Sequence, residues 1–175
     1  VDVLTGTPVT GIDGDGYQLG VQRVEARTVL WAAGVAASPL GALLDAPRDR
    51  AGRVQVNTDL SVPGHADVFV AGDLAAITQD GQAVPGVAPA AKQMGAHVAS
   101  VIRARIAGKP APEFRYVDYG NLATIGRMAA VVDLHGWRFS GLLAWWFWLA
   151  AHVFFLIGFR NRVIVLVNWA WAYWS

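Results

Sequence analysis

Short apolar runs broken by turn residues open the chain. Residues 1–4 and 8–12 read as strands, Asp13-Gly14-Asp15-Gly16 as a turn, and residues 17–19 as a strand pairing back, which gives a small antiparallel ribbon. Residues 28–33 (TVLWAA) are apolar without alternation. That pattern predicts a strand buried on both faces, as in the central sheet of an α/β domain, ending at Gly34 and the Ser38-Pro39 break. Further strands are predicted over 54–56 and 68–71 (VFVA), the latter stopping at Gly72-Asp73. A long helix follows. Pro89 suits its first turn, where a missing N–H costs nothing, and Met94, Val98, Val101, Ile102 and Ile106 recur at helical spacing. Arg103 and Arg105 suit the negative end of the helix dipole, and Gly108 with Pro110 ends the helix. Residues 110–112 read as a linker, and 114–116, 122–125 and 129–132 as short strands of a bridging ribbon.

The last stretch changes character. Residues 141–159 carry no acidic or basic side chain apart from His152, and a helix over them would be roughly 28 Å long, against a bilayer core of about 30 Å. Residues 163–174 would make a helix of only about 18 Å, too short to cross. Arg138 precedes the pair of runs and Arg160 and Arg162 separate them, so the flanks set no inside–outside bias. Trp145, Trp146 and Trp148 cluster in the first run and Trp169, Trp171 and Trp174 in the second, and indole prefers the headgroup boundary. The expectation is two helices lying in, or dipping into, one leaflet, with the arginines meeting anionic lipid. A spanning first helix and a buried hairpin in a soluble protein are the alternatives.

Composition sharpens this. Of 175 residues, 54% are hydrophobic and 15% charged, and the imbalance is local: after Asp133 no acidic residue occurs. The net charge of +1 gives no reason to expect a nucleic-acid partner. There is no cysteine, so neither a disulfide framework nor a redox dithiol exists within the chain, and redox chemistry here needs a bound cofactor. The first residue is valine, and the early strands lack partners in the sequence. The expectation is a fragment whose upstream half is missing.

Three places can carry chemistry. The run VFVAGDLA (68–75) delivers Gly72 and Asp73 to a strand end, where open α/β sheets bind ligands. Gly72 permits close backbone approach, and Asp73 offers an acceptor for a sugar or ribityl hydroxyl; an ordinary Asx turn weighs equally. The helix start APAAKQMG (88–95) leaves first-turn N–H groups open beside Ala90 and Ala91, a setting that favours negative charge. WAAGV (31–35), with Gly34, permits a close crossing of chain or cofactor. Asp-Gly-Asp-Gly lacks the further ligands of a calcium loop, and His65, His97, His135 and His152 lie at no metal-ligand spacing. No metal site is expected.

Taken in order, RTVLWAAGVAASPL (27–40), GRVQVNTDLSV with VFVAGDLA (52–75), APAAKQMG (88–95), GNLATIGR (120–127), GFRNR (158–162) and NWAWAYW (168–174) resemble the C-terminal portion of the type II, non-proton-pumping NADH dehydrogenases. These are Rossmann-like α/β flavoproteins with two dinucleotide-binding domains, similar to the pyridine nucleotide-disulfide oxidoreductases. The resemblance covers nearly the whole chain. It implies non-covalent FAD, NADH as donor and a membrane quinone as acceptor. It implies that Asp73, with Gly72, contacts the ribityl or phosphate portion of the flavin, that Ala90 and Ala91 lie under its ring, and that Gly34 closes the link between the two domains. In the family's quinone-side pattern A-Q-x-A-x-Q, Ala88, Ala91 and Gln93 match and Pro89 replaces the first glutamine, so Gln93 is the better quinone-side candidate.

The division implied is 1–26 as the end of an NADH-binding domain, 27–109 as the C-terminal part of an FAD-binding domain, 110–136 as a bridging β ribbon and 137–175 as membrane-anchoring helices, including Trp145, Trp146, Trp148, Arg160, Arg162, Trp169 and Trp171. The place implied is monotopic, on the cytoplasmic face of a bacterial inner membrane, and a homodimer is among the expected assemblies. Two other functions remain open at this point: a related membrane-associated FAD reductase with another donor or acceptor, and a non-catalytic, membrane-tethered module of the same fold.

Overall fold

The computed structural model describes residues 2–156 and 158–174. Two compact units divide the chain between Ala36 and Ala37.

The first unit is an antiparallel meander of β1 (Val9–Asp13), β2 (Gly16–Leu19) and β3 (Gln22–Glu25). The Asp13–Gly16 turn forms as predicted, with Asp13 Oδ1 accepting from Asp15 N–H at 2.9 Å. Gly16 is required there, because a Cβ would fall 2.1 Å from the Val24 carbonyl oxygen. Arg23 reaches across the sheet to hold both Asp13 carboxylate oxygens at 2.5 and 2.6 Å. That guanidinium is the main reason the Asp13 carboxyl titrates at about 2.

Two strands predicted for this first unit are absent. Val1 lies outside the described residues, and residues 2–4 are exposed and irregular. Residues 28–33 form no strand, and Leu30 and Trp31 stand 89% and 64% exposed. A strand apolar on both faces needs neighbours along both edges, and no described segment supplies one to this run.

The second unit begins with short pairs: β4 (Val54–Gln55) parallel to β7 (Ala75–Ala76), β5 (Ser61–Val62) antiparallel to β6 (His65–Phe69), and β8 (Thr78–Gln79) antiparallel to β9 (Gln82–Ala83). The predicted 68–71 strand is therefore the end of a hairpin strand. Val68, within the strand, is exposed, and Val70, just past its end, is buried where the chain enters the core. Helix α1 (Ala88–Ile106) has the predicted limits. Gly108 takes φ +65, and Lys109 N–H closes onto the Ala104 carbonyl at 2.8 Å. Its buried stripe is Ala90, Met94 and Val101; Ile102 and Ile106 remain exposed. Val54, Leu60, Val62, Val70, Ala75 and Phe114 complete this core.

Arg105, near the end of α1, fastens the β5–β6 hairpin. It pairs with Asp59 at 2.7 Å, donates to the Ala66 carbonyl and lies over the Phe69 ring at 5.1 Å. Burial pushes the Asp59 carboxyl up. The hydrogen bonds from Ser61 and Arg105 outweigh it and hold the group below the usual carboxylate range.

Residues 109–120 have no regular structure, so the predicted strand at 114–116 belongs to no sheet. Next come β10 (Asn121–Gly126), β11 (Ala129–Leu134) and β12 (Trp137–Gly141), an antiparallel sheet with one strand more than predicted. Helix α2 (Leu142–Phe155) buries Ala144 against Ala130 and Val132 of this sheet. Helix α3 (Phe159–Trp174) follows after a short break. At 1.5 Å per residue α2 and α3 are about 21 and 24 Å long, and no helix of the described residues is long and apolar enough to cross a membrane.

Candidate functional site

Gly72 ends the β6 segment with a left-handed backbone, φ +73, which glycine adopts without a Cβ penalty. The chain turns there through a short 3-10 helix, Gly72–Leu74, packed on α1. The approach is close. A Cβ at Gly72 would stand 3.3 Å from Ala91 Cβ, and Gly72 N–H points to Met94 Sδ at 3.2 Å. Ala90 is buried and Ala91 half-buried, so small side chains floor the junction. An apolar groove of about 480 Å³, lined by Leu43, Val68, Val70 and Leu74, runs beside the same strand end.

Two complementary groups meet at this junction. Asp73 is exposed and makes no hydrogen bond or ion pair within the described residues. Gly86 lies against it: a Cβ there would sit 3.5 Å from Asp73 Oδ1. Just beyond Gly86, α1 starts on Val87, whose side chain cannot cap it, and Pro89 occupies the first turn. The N–H groups of Ala88 and Ala90 meet no acceptor among the described residues. An unpaired carboxylate thus stands beside uncapped helix donors. Such a pair can take a ligand that carries hydroxyl donors at one place and a carbonyl or anion at another.

The site residues named from the sequence are distributed as follows. Gly72, Asp73, Ala90 and Ala91 come together. Gly34 belongs to the first unit, with φ +106 and open space where a Cβ would be. Pro89 is exposed on the first turn of α1, and Gln93 follows one turn later, half-buried. Both ends of the Gln93 amide are engaged: it donates to the Val117 carbonyl and accepts from Val117 N–H, each at 2.9 Å. Gln79 does the same for the preceding residue, donating to the Tyr116 carbonyl at 3.2 Å and accepting from Tyr116 N–H at 2.7 Å.

In the tail, Trp145 and Trp148 are half-buried against the sheet, and Trp148 stacks on Trp169 at 5.5 Å between ring centres. Trp146, Trp171 and Trp174 are exposed, as are Phe154, Phe155 and Phe159. Arg162 is committed to the end of α2, donating to the carbonyls of Leu156 at 3.0 Å and Phe154 at 2.8 Å. Arg160 is exposed and unpaired among the described residues.

Sequence reasoning missed Gly86, Gln79 and the Met94 sulfur. Val-Pro-Gly before a helix marks only a boundary, and an amide in a turn-rich stretch leaves no periodic trace.

Comparison with known proteins adds the following. The family model described as "NDH2 C-terminal domain" matches residues 119–173, and "Pyridine nucleotide-disulphide oxidoreductase" matches residues 1–95. The chain is 42% identical to the type II NADH:quinone oxidoreductase Ndh of Mycobacterium tuberculosis, over 100% of this chain and 40% of that protein. It is 39% identical to NdhA of the same organism, over 97% and 38%. The type II NADH:quinone oxidoreductase of Staphylococcus saprophyticus is 33% identical over 81% and 36%. The chain thus spans about two fifths of the length of these relatives. Among solved structures, NDH2 from Plasmodium falciparum in complex with NADH superposes with a TM-score of 0.80 at 15% identity, covering 97% of this chain and 51% of that one, which establishes the α/β fold.

Proposed function

The chain belongs to the pyridine nucleotide-disulphide oxidoreductases, in their type II NADH dehydrogenase branch, and from that premise we propose that it forms the C-terminal part of an enzyme passing electrons from NADH through non-covalent FAD to a membrane quinone, without proton pumping. The observation that carries this reading is the junction of Gly72 and Asp73 with the open N-terminus of α1.

The junction fits a flavin by its chemistry. The free Asp73 carboxylate suits a ribityl hydroxyl, which is a donor. The unpaired N–H groups of Ala88 and Ala90 suit an electron-rich carbonyl edge, and the field of a helix of this length favours negative charge there. Gly72 and Ala91 leave no side chain between backbone and ligand. When bound, the flavin supplies two-electron acceptance from a nicotinamide and donation to a quinone. The protein's own part is to bind, to orient and to set the local charge. No nucleophile is needed, which agrees with a chain that has no cysteine.

The proposed attachment is monotopic, on the cytoplasmic face of a bacterial inner membrane, and the tail supports its monotopic character. Its exposed Trp146, Phe154, Phe155, Phe159, Trp171 and Trp174 form an apolar surface that costs free energy in water and gains it at a lipid boundary. The two helices are too short to span a bilayer core, which favours an in-plane arrangement over a spanning one. Residues 1–26 are assigned to the nicotinamide side and residues 27–109 to the FAD side, with Gly34 at the link between them, and a homodimer is the proposed assembly.

The test is spectroscopic. The full-length protein, purified in detergent, is expected to be yellow, to bleach anaerobically with NADH and to regain colour with a quinone. A colourless protein, or a yellow one indifferent to NADH, would overturn the reading.

A further inference from the structure

Residues 114–117 belong to no sheet, yet the backbone groups of Phe114, Tyr116 and Val117 are paired. Phe114 N–H donates to the Thr58 carbonyl at 2.7 Å, and Tyr116 exchanges two hydrogen bonds with the Gln79 amide. Val117 exchanges two with the Gln93 amide. Phe114 and Tyr116 thus bond to Thr58 and Gln79, while Val117 bonds to α1 through Gln93. A carboxamide carries the same donor and acceptor as a peptide group, so each glutamine imitates one rung of an antiparallel ladder. The segment's backbone groups are thus satisfied without a strand partner.

The segment is the connection between α1 and the β10–β12 sheet that carries α2 and α3. One end is anchored by the Phe114 ring, buried in the core and set edge-on to His97 at 5.4 Å. Gln93 and His97 are one turn apart on α1, so Val117 and Phe114 lie over the same helix face. The face begins at Ala90 and Ala91, at the site proposed above. With both amide atoms bound to Val117, Gln93 has little capacity left for a quinone oxygen: one N–H and one lone pair.

We propose that Gln93 and Gln79 form a two-edged amide clamp on Tyr116–Val117, and that Gln93 is accordingly a positioning residue, holding the apolar tail in register with the cofactor helix. The part of this that concerns quinone turnover rests on the function proposed above; the clamp itself does not.

The full-length protein carries a built-in reporter, because Arg115 is exposed and the bond after it leads directly into the clamped residues. In the wild type, trypsin cleavage after Arg115 and hydrogen exchange of the Tyr116 and Val117 amides are expected to be slow. Gln93→Ala and Gln79→Ala are each expected to raise both rates by about tenfold, as the loss of two partly exposed hydrogen bonds would. Combining them should add less than the product of the single effects, since one segment is released either way. With FAD content unchanged, kcat/KM for quinone should fall in both single variants, including Gln79→Ala, whose side chain is on the far edge of the segment. If Gln93→Ala impairs quinone turnover while cleavage, exchange and the Gln79→Ala enzyme all behave as wild type, Gln93 acts on the quinone directly and the proposal fails. If both variants free the segment and quinone turnover stays unchanged, the positioning role fails. Protection needs neither flavin nor quinone, so it judges the clamp even where no NADH oxidation is found.

Discussion

Gly72→Ala tests the junction by adding one methyl group. At φ +73 an alanine pays the left-handed penalty of about 1 kcal/mol. Its Cβ would also stand 3.3 Å from Ala91 Cβ, closer than an ordinary contact, so the 3-10 turn must lift off α1 by a few tenths of an ångström. The helix under it is packed through Ala90 and Met94, both buried, and yields little. Together these effects predict a loss of about 1–2 kcal/mol, or roughly 3–6 °C in Tm for a protein of this size. The assay is thermal unfolding of flavin-free protein, run as a cycle with Ala91→Gly. Removing the Ala91 methyl relieves the contact and leaves the backbone penalty, so the double variant should recover about 0.5 kcal/mol relative to the sum of the singles. Additive effects within error would show that Gly72 and Ala91 do not touch. An unperturbed Tm for Gly72→Ala would show that the left-handed turn is not there.

Other outcomes follow from the same geometry. Asp13 titrates at about 2, chiefly because of the Arg23 hydrogen bond, so its contribution to stability is present above the ordinary carboxylate value of about 4 and is lost as pH falls through 2; carboxyl NMR should show that midpoint rise in Arg23→Gln. Arg105→Ala should cost about 2 kcal/mol in urea unfolding, since it strips the half-buried Asp59 of its cation and frees the β5–β6 hairpin from α1, whereas the exposed Arg103→Ala should cost little. For vesicle binding, Arg160→Ala should weaken the response to anionic lipid and leave Tm alone. Arg162→Ala should do the reverse, with a loss of about 1 kcal/mol, because its guanidinium closes the end of α2. Phe155→Ser with Trp171→Ser, both at exposed positions, should abolish vesicle binding without unfolding the tail.

The sequence shows α1 clearly because every local signal agrees on it: Pro89 at the start, an apolar stripe, two arginines at the end and Gly108 beyond. The strand-end pair Gly72-Asp73 and the small residues Ala90 and Ala91 are legible for the same reason, since close packing needs residue types that are easy to recognise. What depends on partners is not legible. The run 28–33 has the composition of a central strand, but composition cannot supply the neighbours that make one, and it lies exposed. Strands β3 and β12 were missed because QRVE and WRFSG carry too few apolar residues to show a period; they pair through neighbours that the turn geometry brings back. The engagement of Gln79 and Gln93 with Tyr116 and Val117 joins residues 37 and 24 positions apart, and no local pattern announces such a contact. Arg160 and Arg162 look alike in sequence, and only the fold separates a free cation from one spent on helix carbonyls.

The flavin content of the Asp73→Ala protein tests the assignment of the junction most directly. Loss of the one unpaired carboxylate beside the α1 N-terminus should weaken FAD binding about 10- to 100-fold, the usual effect of removing a charged hydrogen-bond acceptor, and quinone turnover should fall with it and return on adding excess FAD. Asp73→Ala protein that purifies with a full complement of FAD and wild-type turnover would contradict the assignment of this junction as the flavin site.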